Sequence, residues 1–277
     1  MIAPCRPLAA CPDSELAGLH GVLTDIDDTL TSEGMIADAA LQALEQLQAA
    51  SIPVIAITGR PMGWSEPFAR SWPVAAIVAE NGAVALFRDD DGLQVDYVQD
   101  DATRATNARR LRQVADQVLD EVSGARLARD SAGRVTDIAI DHSEFNHLEP
   151  AAIEQVVAVM RRAGMNATVS SIHINGWFGE HDKLSGTRWM LRRLFGRELD
   201  SELDRWIYVG DSTNDQLMFA QVPLSVGVAN LMRFADQLSV WPRYLTAAER
   251  GAGFAELAAR ILAARDVRPP DGPPRQG

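Results

Sequence analysis

Cysteine is scarce in this chain: of 277 residues, Cys5 and Cys11 are the two that carry thiols. One such pair, confined to the N-terminal lead-in, cannot build a disulfide framework or a four-ligand zinc site. The two read as incidental thiols of a reducing compartment. Long apolar runs are missing as well, and nothing approaches the roughly eighteen consecutive apolar residues that a membrane span requires. The opening MIAPCRPLAACPDSE places prolines and an acid where a secretory signal needs an unbroken apolar core. The expectation is a cytoplasmic protein with a short, loosely packed lead-in and no membrane partner. Basic charge is in deficit too, with 26 Lys and Arg against 38 Asp and Glu and a formal charge of −12. Such a surface repels nucleic acid unless a basic patch overrides it. The one basic cluster holds Arg104, Arg109, Arg110 and Arg112, and acids flank it on both sides. It reads as a solvated helix face, with a helper site for an anionic ligand as the alternative.

What the chain does contain is a series of short β-branched runs, each ending in a polar or glycine-containing turn. They are GVLTD from Gly21, PVIAITG from Pro53, AAIVAENG from Ala75 and WIYVGD from Trp206. Amphipathic patterns accompany them, such as DAALQALEQLQAA from Asp38, where Leu41, Leu44 and Leu47 recur at helical spacing, and SGTRWMLRRLFG from Ser185. Continuous apolar strands alternating with helices predict βαβ units around a buried parallel sheet. Right-handed crossovers then bring the strands' C-terminal ends to one edge. Between Val84 and Phe178 the runs alternate instead, as in RVTDIAIDHS from Arg134 and NATVSSIHINGWFG from Asn166. That pattern predicts an antiparallel sheet with one wet face, backed by helices such as LEPAAIEQVVAVMRRAG from Leu148. The expected fold class is α/β, a Rossmann-like parallel-sheet core with an inserted α+β cap domain. Its expected bounds are 1–83 and 182–268 for the core, 84–181 for the insertion, and 269–277 for a disordered tail rich in proline and glycine.

Three acids, Asp25, Asp27 and Asp28, close the first apolar run. If the strand persists, Asp25 and Asp27 point to one face and Ile26 to the other. Carboxylates converging at a sheet edge need a cation, a proton or a basic side chain, and Mg²⁺ suits a few carboxylates plus water and phosphate. A calcium loop fails on spacing, because Leu30 and Ile36 occupy its glycine and glutamate positions. Taken alone, DIDDT fits helix capping as well as catalysis. Three further element ends add weight. Thr58-Gly59-Arg60 offers a hydroxyl and backbone N–H groups to a phosphoryl oxygen. Lys183 falls at a helix start, where the macrodipole disfavours a cation unless anions face it. Asp211, with Asn214 and Asp215, follows the run ending Val209-Gly210. Each has a bland reading: a Thr-Gly turn, a surface lysine, a helix cap. Open α/β sheets bind their ligands at the edge where all four would meet.

These residues resemble the four motifs of the haloacid dehalogenase superfamily of phosphohydrolases. Asp25-Ile26-Asp27-Asp28-Thr29-Leu30 fits its D-x-D-x-T-L signature, Thr58-Gly59-Arg60 the second motif, Lys183 the third, and Gly210-Asp211-Ser212-Thr213-Asn214-Asp215 the fourth. Glu80-Asn81-Gly82-Ala83 resembles the type IIB branch, which carries a large α/β cap and includes phosphatases of sucrose, trehalose and mannosylglycerate phosphates as well as phosphomannomutases. The resemblance implies that Asp25 is a nucleophile forming an aspartyl-phosphate, with Asp27 as general acid and base. It implies Mg²⁺ held by Asp25, the Asp27 backbone carbonyl and Asp211. Thr58, Gly59, Arg60 and Asn214 would bind substrate phosphate, Lys183 would offset charge on Asp25, and Asp215 would orient its neighbours. Asp28 fills no slot of the pattern and is assigned to capping or the electrostatic surround.

In the insertion, His173, Asn175 and Trp177 share one strand face, opposite Ile172 and Ile174. Hydrogen-bonding side chains beside an indole suit a sugar, and an exposed sheet face is the alternative. The expected function is a Mg²⁺-dependent phosphatase of a small phosphorylated metabolite, a sugar phosphate, with neither nucleic acid nor membrane as partner and a monomer as the working state. A sugar phosphomutase and a phospho-accepting signalling domain are the competing readings.

Overall fold

The strands form where the sequence stays apolar on both faces. In the computed structural model, which describes residues 5–266, the runs GVLT, VIAI, AIVA and WIYVG are buried throughout. The expected tail, 269–277, lies outside the described residues. Nine strands make the main sheet: β1 (Arg6–Pro7), β2 (Gly21–Thr24), β5 (Val54–Ile57), β6 (Ala76–Ala79), β7 (Val84–Asp89), β8 (Gly92–Tyr97), β12 (Trp206–Gly210), β13 (Leu224–Gly227) and β14 (Tyr244–Leu245). Their spatial order is β1-β14-β13-β12-β2-β5-β6-β7-β8. Pairing is parallel from β1 to β6 and antiparallel across β7 and β8. A small hairpin, β3 (Thr31–Ser32) with β4 (Met35–Ile36), stands just after β2. From β2 the chain winds outward through β5 and β6, then returns to β2's other side as β12. That reversal puts a topological switch point at β2, where such sheets open a ligand crevice.

Alternation along each strand feeds two apolar layers. Val22, Val54, Ile207 and Val209 pack with α2 (Asp38–Ala49) and α8 (Arg250–Asp266) through Leu44, Leu47, Phe254, Leu257 and Ile261. Leu23, Ile55 and Tyr208 pack on the other side with α6 (Lys183–Phe195) and α7 (Gln216–Gln221) through Met190, Leu191, Met218 and Phe219. No helix among the described residues is long and apolar enough to cross a membrane.

The described part of the lead-in is not loosely packed. Arg6–Pro7 pairs with Tyr244–Leu245, and Leu8, Cys11 and Leu16 are buried in the first apolar layer. The short helix α1 (Asp13–Leu16) contacts α8, where Arg260 donates to the Cys11 carbonyl and pairs with Asp13. Apolar residues spaced between its prolines let it cover a sheet edge.

A second sheet, order β10-β11-β9, is antiparallel, with β9 (Asp137–Asp141), β10 (Asn166–Val169) and β11 (His173–Trp177). Ile138, Ile140 and Ile174 face α4 (Asp101–Glu121) and α5 (Pro150–Arg162) in a third core with Leu111, Val118, Val156 and Met160. The opposite face was expected to be wet, yet β9 and β11 are buried along their whole length. Its polar side chains meet the main domain, so the alternation marked a polar interface. The boundary expected at residue 84 also differs. Val84–Tyr97 form β7 and β8 of the main sheet, because the chain reverses beside β6 through Glu80, Asn81 and Gly82, all with positive φ.

That turn, with α3 (Met62–Ser71) beyond it, leaves no room around Gly82. A Cβ there would lie 2.0 Å from the Asp182 carbonyl oxygen, whereas one on Gly164, also left-handed, meets nothing within 4 Å. Gly82→Ala is therefore expected to lose at least about 3 kcal/mol of stability, and Gly164→Ala about 1 kcal/mol. Urea unfolding of both variants checks the difference, and equal losses would contradict the close packing described here.

Candidate active site

Strand β2 ends at Thr24, and Asp25 continues its path, donating its N–H to the Val209 carbonyl at 2.9 Å. The Ile26 carbonyl then accepts from the N–H groups of Thr29, Leu30 and Thr31 and from the Thr31 hydroxyl, which curls the chain into a tight turn. Asp28 takes the left-handed conformation in that turn (φ 54°). Although the strand stops before them, Asp25 and Asp27 line one small cavity with Gly59, Arg60, Ser212 and Asn214.

Lys183 is the first residue of α6. Asp182 caps that helix, accepting from Ser185 N–H at 2.7 Å while its own N–H donates to the Ser185 hydroxyl at 2.8 Å. The capped start aims the lysine inward. Its Nζ, buried, donates to Asp25 Oδ1 at 2.6 Å and to Asp215 Oδ1 at 2.7 Å. Asp215 has all its capacity engaged: Oδ2 accepts from Asp211 N–H at 2.9 Å and Ser212 N–H at 3.1 Å, and Oδ1 also accepts from the Tyr208 hydroxyl at 2.5 Å. A side chain on Gly210 would collide with this carboxylate, at 2.4 Å from Oδ2.

Asp211 is different. Its Oδ2 accepts from Asn230 Nδ2 at 3.2 Å, but its Oδ1 is buried without a hydrogen-bond partner. Oxygen atoms of Asp25, Asp211 and Asp215 lie within 4.8 Å of one another. One lysine faces these three acids. Burial, only partly offset by Lys183, pushes Asp25 up to about 8. Burial and the neighbouring carboxylates Asp25 and Asp215 push Asp211 well above the usual range. The orphaned Asp211 oxygen beside Asp25 is the donor set a hard divalent cation takes, while Asp215 holds the frame.

Asp27 stands outside this cluster. Its carboxylate accepts from Arg60 Nε at 2.9 Å and, at 3.4 Å, from the Thr58 hydroxyl. Arg60, expected to meet substrate, is buried and occupied by protein carboxylates. Besides Asp27 it donates to Asp130 Oδ2 at 3.2 Å and Glu144 Oε1 at 2.7 Å, and its guanidinium lies 4.9 Å from the Trp64 ring centre. His173 and Asn175 show the same departure. His173 Nε2 meets Glu144 Oε2 at 2.9 Å, and Asn175 donates to the Gly59 carbonyl at 3.1 Å and to Asp137 Oδ2 at 2.9 Å. Their hydrogen-bonding atoms serve the interface with the main domain. Trp177 likewise donates to the His181 carbonyl.

Sequence reasoning gave no role in the site to four polar residues whose side chains are buried here. Glu80 accepts from the N–H groups of Met62 and Thr136 and from the Thr136 hydroxyl, while Arg134 donates to the Gly59 carbonyl and to Asp137. Tyr208 and Asn230 buttress Asp215 and Asp211. A polar residue inside an apolar strand, as in WIYVGD, was the available signal for Tyr208. The basic cluster of α4 lies elsewhere, with Arg109 and Arg112 exposed and Arg104 paired with Asp101.

The crowded acids should make the metal-free protein sensitive to pH. An aspartate whose folded-state pKa is raised above its value of 3.8 in the unfolded chain contributes stability below that value, and loses it as pH rises through about 8. Asp211→Asn removes one acid and no ion pair. In EDTA it should be more stable than the wild type at pH 8 by about 1–3 kcal/mol, and less so at pH 5. Urea unfolding at both pH values decides it, and a less stable variant at pH 8 would mean that the charge on Asp211 is favourable.

Residues 22–120 match the family model of haloacid dehalogenase-like hydrolases. Among solved structures, the chain is similar to a protein of Thermoplasma acidophilum, with a TM-score of 0.67, 16% identity, and coverage of 88% of this chain and 98% of that one. It is similar to the sucrose-phosphatase of a Synechocystis species solved with sucrose and phosphate, with a TM-score of 0.62, 16% identity and coverage of 88% and 98%. A sugar phosphatase of subclass IIB follows, with a TM-score of 0.59, 13% identity and coverage of 87% and 96%. No curated protein matches the sequence. At these identities the structures speak for the fold, while the family model speaks for the segment that carries Asp25, Asp27 and Thr58. The motifs and the fold agree with this match, and the likeness to haloacid dehalogenase-like hydrolases is carried by residues 22–120.

Proposed function

We propose that the protein is a Mg²⁺-dependent phosphatase that hydrolyses a small phosphorylated metabolite, a sugar phosphate, through an aspartyl-phosphate at Asp25. The observation that carries this reading is Lys183 Nζ on Asp25 Oδ1 at 2.6 Å, beside the unpartnered oxygen of Asp211. Lys183 orients the Asp25 carboxylate and leaves Oδ2 as the attacking atom. Attack on phosphorus forms the Oδ2–P bond and breaks the bond to the leaving oxygen, which takes its proton from Asp27. Asp27 then accepts a proton from the water that attacks the acyl phosphate, releasing phosphate and restoring Asp25. Arg60 Nε fixes the Asp27 carboxylate for both transfers. Thr58, Gly59 and Asn214 border the space for the phosphoryl oxygens, and Lys183 offsets their charge. When bound, Mg²⁺ would be held by Asp25, Asp211 and the Asp27 backbone carbonyl, and would neutralise repulsion between carboxylate and phosphate. Asp215 keeps Lys183 and the Asp211 backbone in place.

We assign the leaving group to the cleft of about 390 Å³ that opens beside Asp27. Glu144, Ser143 and Arg250 line it, along with Phe145, which is 56% exposed and carries the Arg129 guanidinium over one face of its ring. Acceptors and donors beside an aromatic face suit hydroxyls and C–H groups of a sugar. In this reading the segment from α4 to β11 is the cap that chooses the substrate. The working state in this reading is a monomer, and the free thiols Cys5 and Cys11 support a cytoplasmic setting.

Phosphate release from a panel of sugar phosphates, with Mg²⁺ or with EDTA, tests the reading. Release should require the metal. Asp25→Asn should lose it by at least about 10³-fold, and Asp27→Asn by about 10²–10⁴-fold. Transfer of phosphate within the substrate without release would indicate a mutase. A long-lived phosphorylated Asp25 without turnover would indicate a signalling role.

A further inference from the structure

Asn230 lies just past β13, on the same sheet edge as Asp25 and Asp211, and is 2% exposed. The backbone brings it there, since Val228 N–H donates to the Gly210 carbonyl at 3.1 Å and so ties the end of β13 to the start of the Asp211 loop. Its amide makes three hydrogen bonds. Nδ2 donates to Asp211 Oδ2 at 3.2 Å and to the Asp28 carbonyl at 3.0 Å, while Oδ1 accepts from Arg250 N–H at 2.8 Å. This orientation of the amide is unambiguous. A backbone N–H can only donate and a backbone carbonyl can only accept, so a flipped amide would break the bonds to both Arg250 and Asp28.

The three partners come from distant parts of the chain. Asp28 follows β2, Asp211 follows β12, and Arg250 opens α8. Two of the three are strained, with Asp28 at φ 54° and Arg250 at φ 52°, a conformation that costs side-chain-bearing residues about 1–3 kcal/mol unless surroundings enforce it. Arg250 closes the ring by pairing through Nε with Asp28 Oδ1 at 3.1 Å and donating from Nη1 to the Ser32 hydroxyl at 2.7 Å. Asn230 thus stands between two left-handed residues and the one acid of the cluster with no basic partner.

We propose that Asn230 is a positioning residue: by holding Asp211 Oδ2 and the Asp28 carbonyl together, it turns Asp211 Oδ1 toward the divalent cation and fixes the loop that carries Asp27. The inference rests on the metal-dependent reading above. With Oδ2 engaged and the Asp211 backbone N–H held by Asp215, Oδ1 is the Asp211 oxygen left without a partner, in a residue whose carboxylate lies beside those of Asp25 and Asp215. Without the amide, both oxygens lose their anchor, and the cation must organise the carboxylate itself. Partners that orient metal ligands in this way typically change affinity by about 10–100-fold.

The test uses the full chain, with Asn230→Ala and, in case alanine does not fold, Asn230→Ser, which is too short to reach Asp211. Two quantities are read for each: the Mg²⁺-dependent rise in melting temperature without substrate, and the Mg²⁺ concentration giving half-maximal phosphate release. The expected result is a half-saturation raised at least about tenfold in both measurements, with turnover largely restored at saturating Mg²⁺. A metal-free protein that melts earlier but keeps the wild-type half-saturation within about twofold would overturn the proposal and leave Asn230 a purely structural brace. A wild-type protein with no response to Mg²⁺ in either measurement would overturn the metal reading itself, and the proposal with it.

Discussion

One ammonium group faces three buried carboxylates at the C-terminal edge of the main sheet. Lys183 satisfies Asp25 and Asp215 directly, and what it cannot neutralise shapes everything around it. Asp215 is stabilised by two backbone N–H groups and the Tyr208 hydroxyl. Asp211 has a single amide for support and an oxygen left over. A buried charge without a partner is costly, and the cluster relieves that cost by holding protons or by receiving another positive group. The arrangement is therefore poor for stability and suited to binding a cation and a phosphate together.

The elements that build this edge were legible because their signals are local. Apolar runs ending in Asp25, Thr58 and Asp211 mark strand ends by composition alone, and Lys183 at a helix start was conspicuous because that position disfavours it. Residues that act through distant partners were not legible. Nothing near Asn230 in the sequence points to Asp28, some 200 positions away, and Glu80 gives no sign that it will receive the N–H groups of the 135–136 segment. Arg60, His173 and Asn175 were offered to substrate, and their hydrogen-bonding atoms meet protein side chains instead. A sequence shows that a polar side chain needs a partner, and cannot say whether that partner is substrate or protein.

The same limit explains the second sheet. Period-two alternation states that one face is apolar and the other polar; solvent is only the commonest neighbour of a polar face. Here the neighbour is the loop at Thr58–Arg60, and Gly59 receives hydrogen bonds from both Arg134 and Asn175. Likewise, the alternation after Val84 could not reveal that a reversal at Gly82 would fold that segment back onto β6.

The sharing of Arg60 between Asp27 on one side and Asp130 and Glu144 on the other has a consequence for modularity. The two parts of the molecule are joined by charges that each leaves unbalanced in the other, so they are not interchangeable units. A second domain grafted from a relative without acids at these positions would leave the buried Arg60 guanidinium with Asp27 as its one remaining carboxylate, at about 3–5 kcal/mol for each broken pair. In the proposed reading, specificity would be redirected by recasting the 143–145 loop at the cleft mouth, where Phe145 is exposed, while the interface behind it is inherited whole.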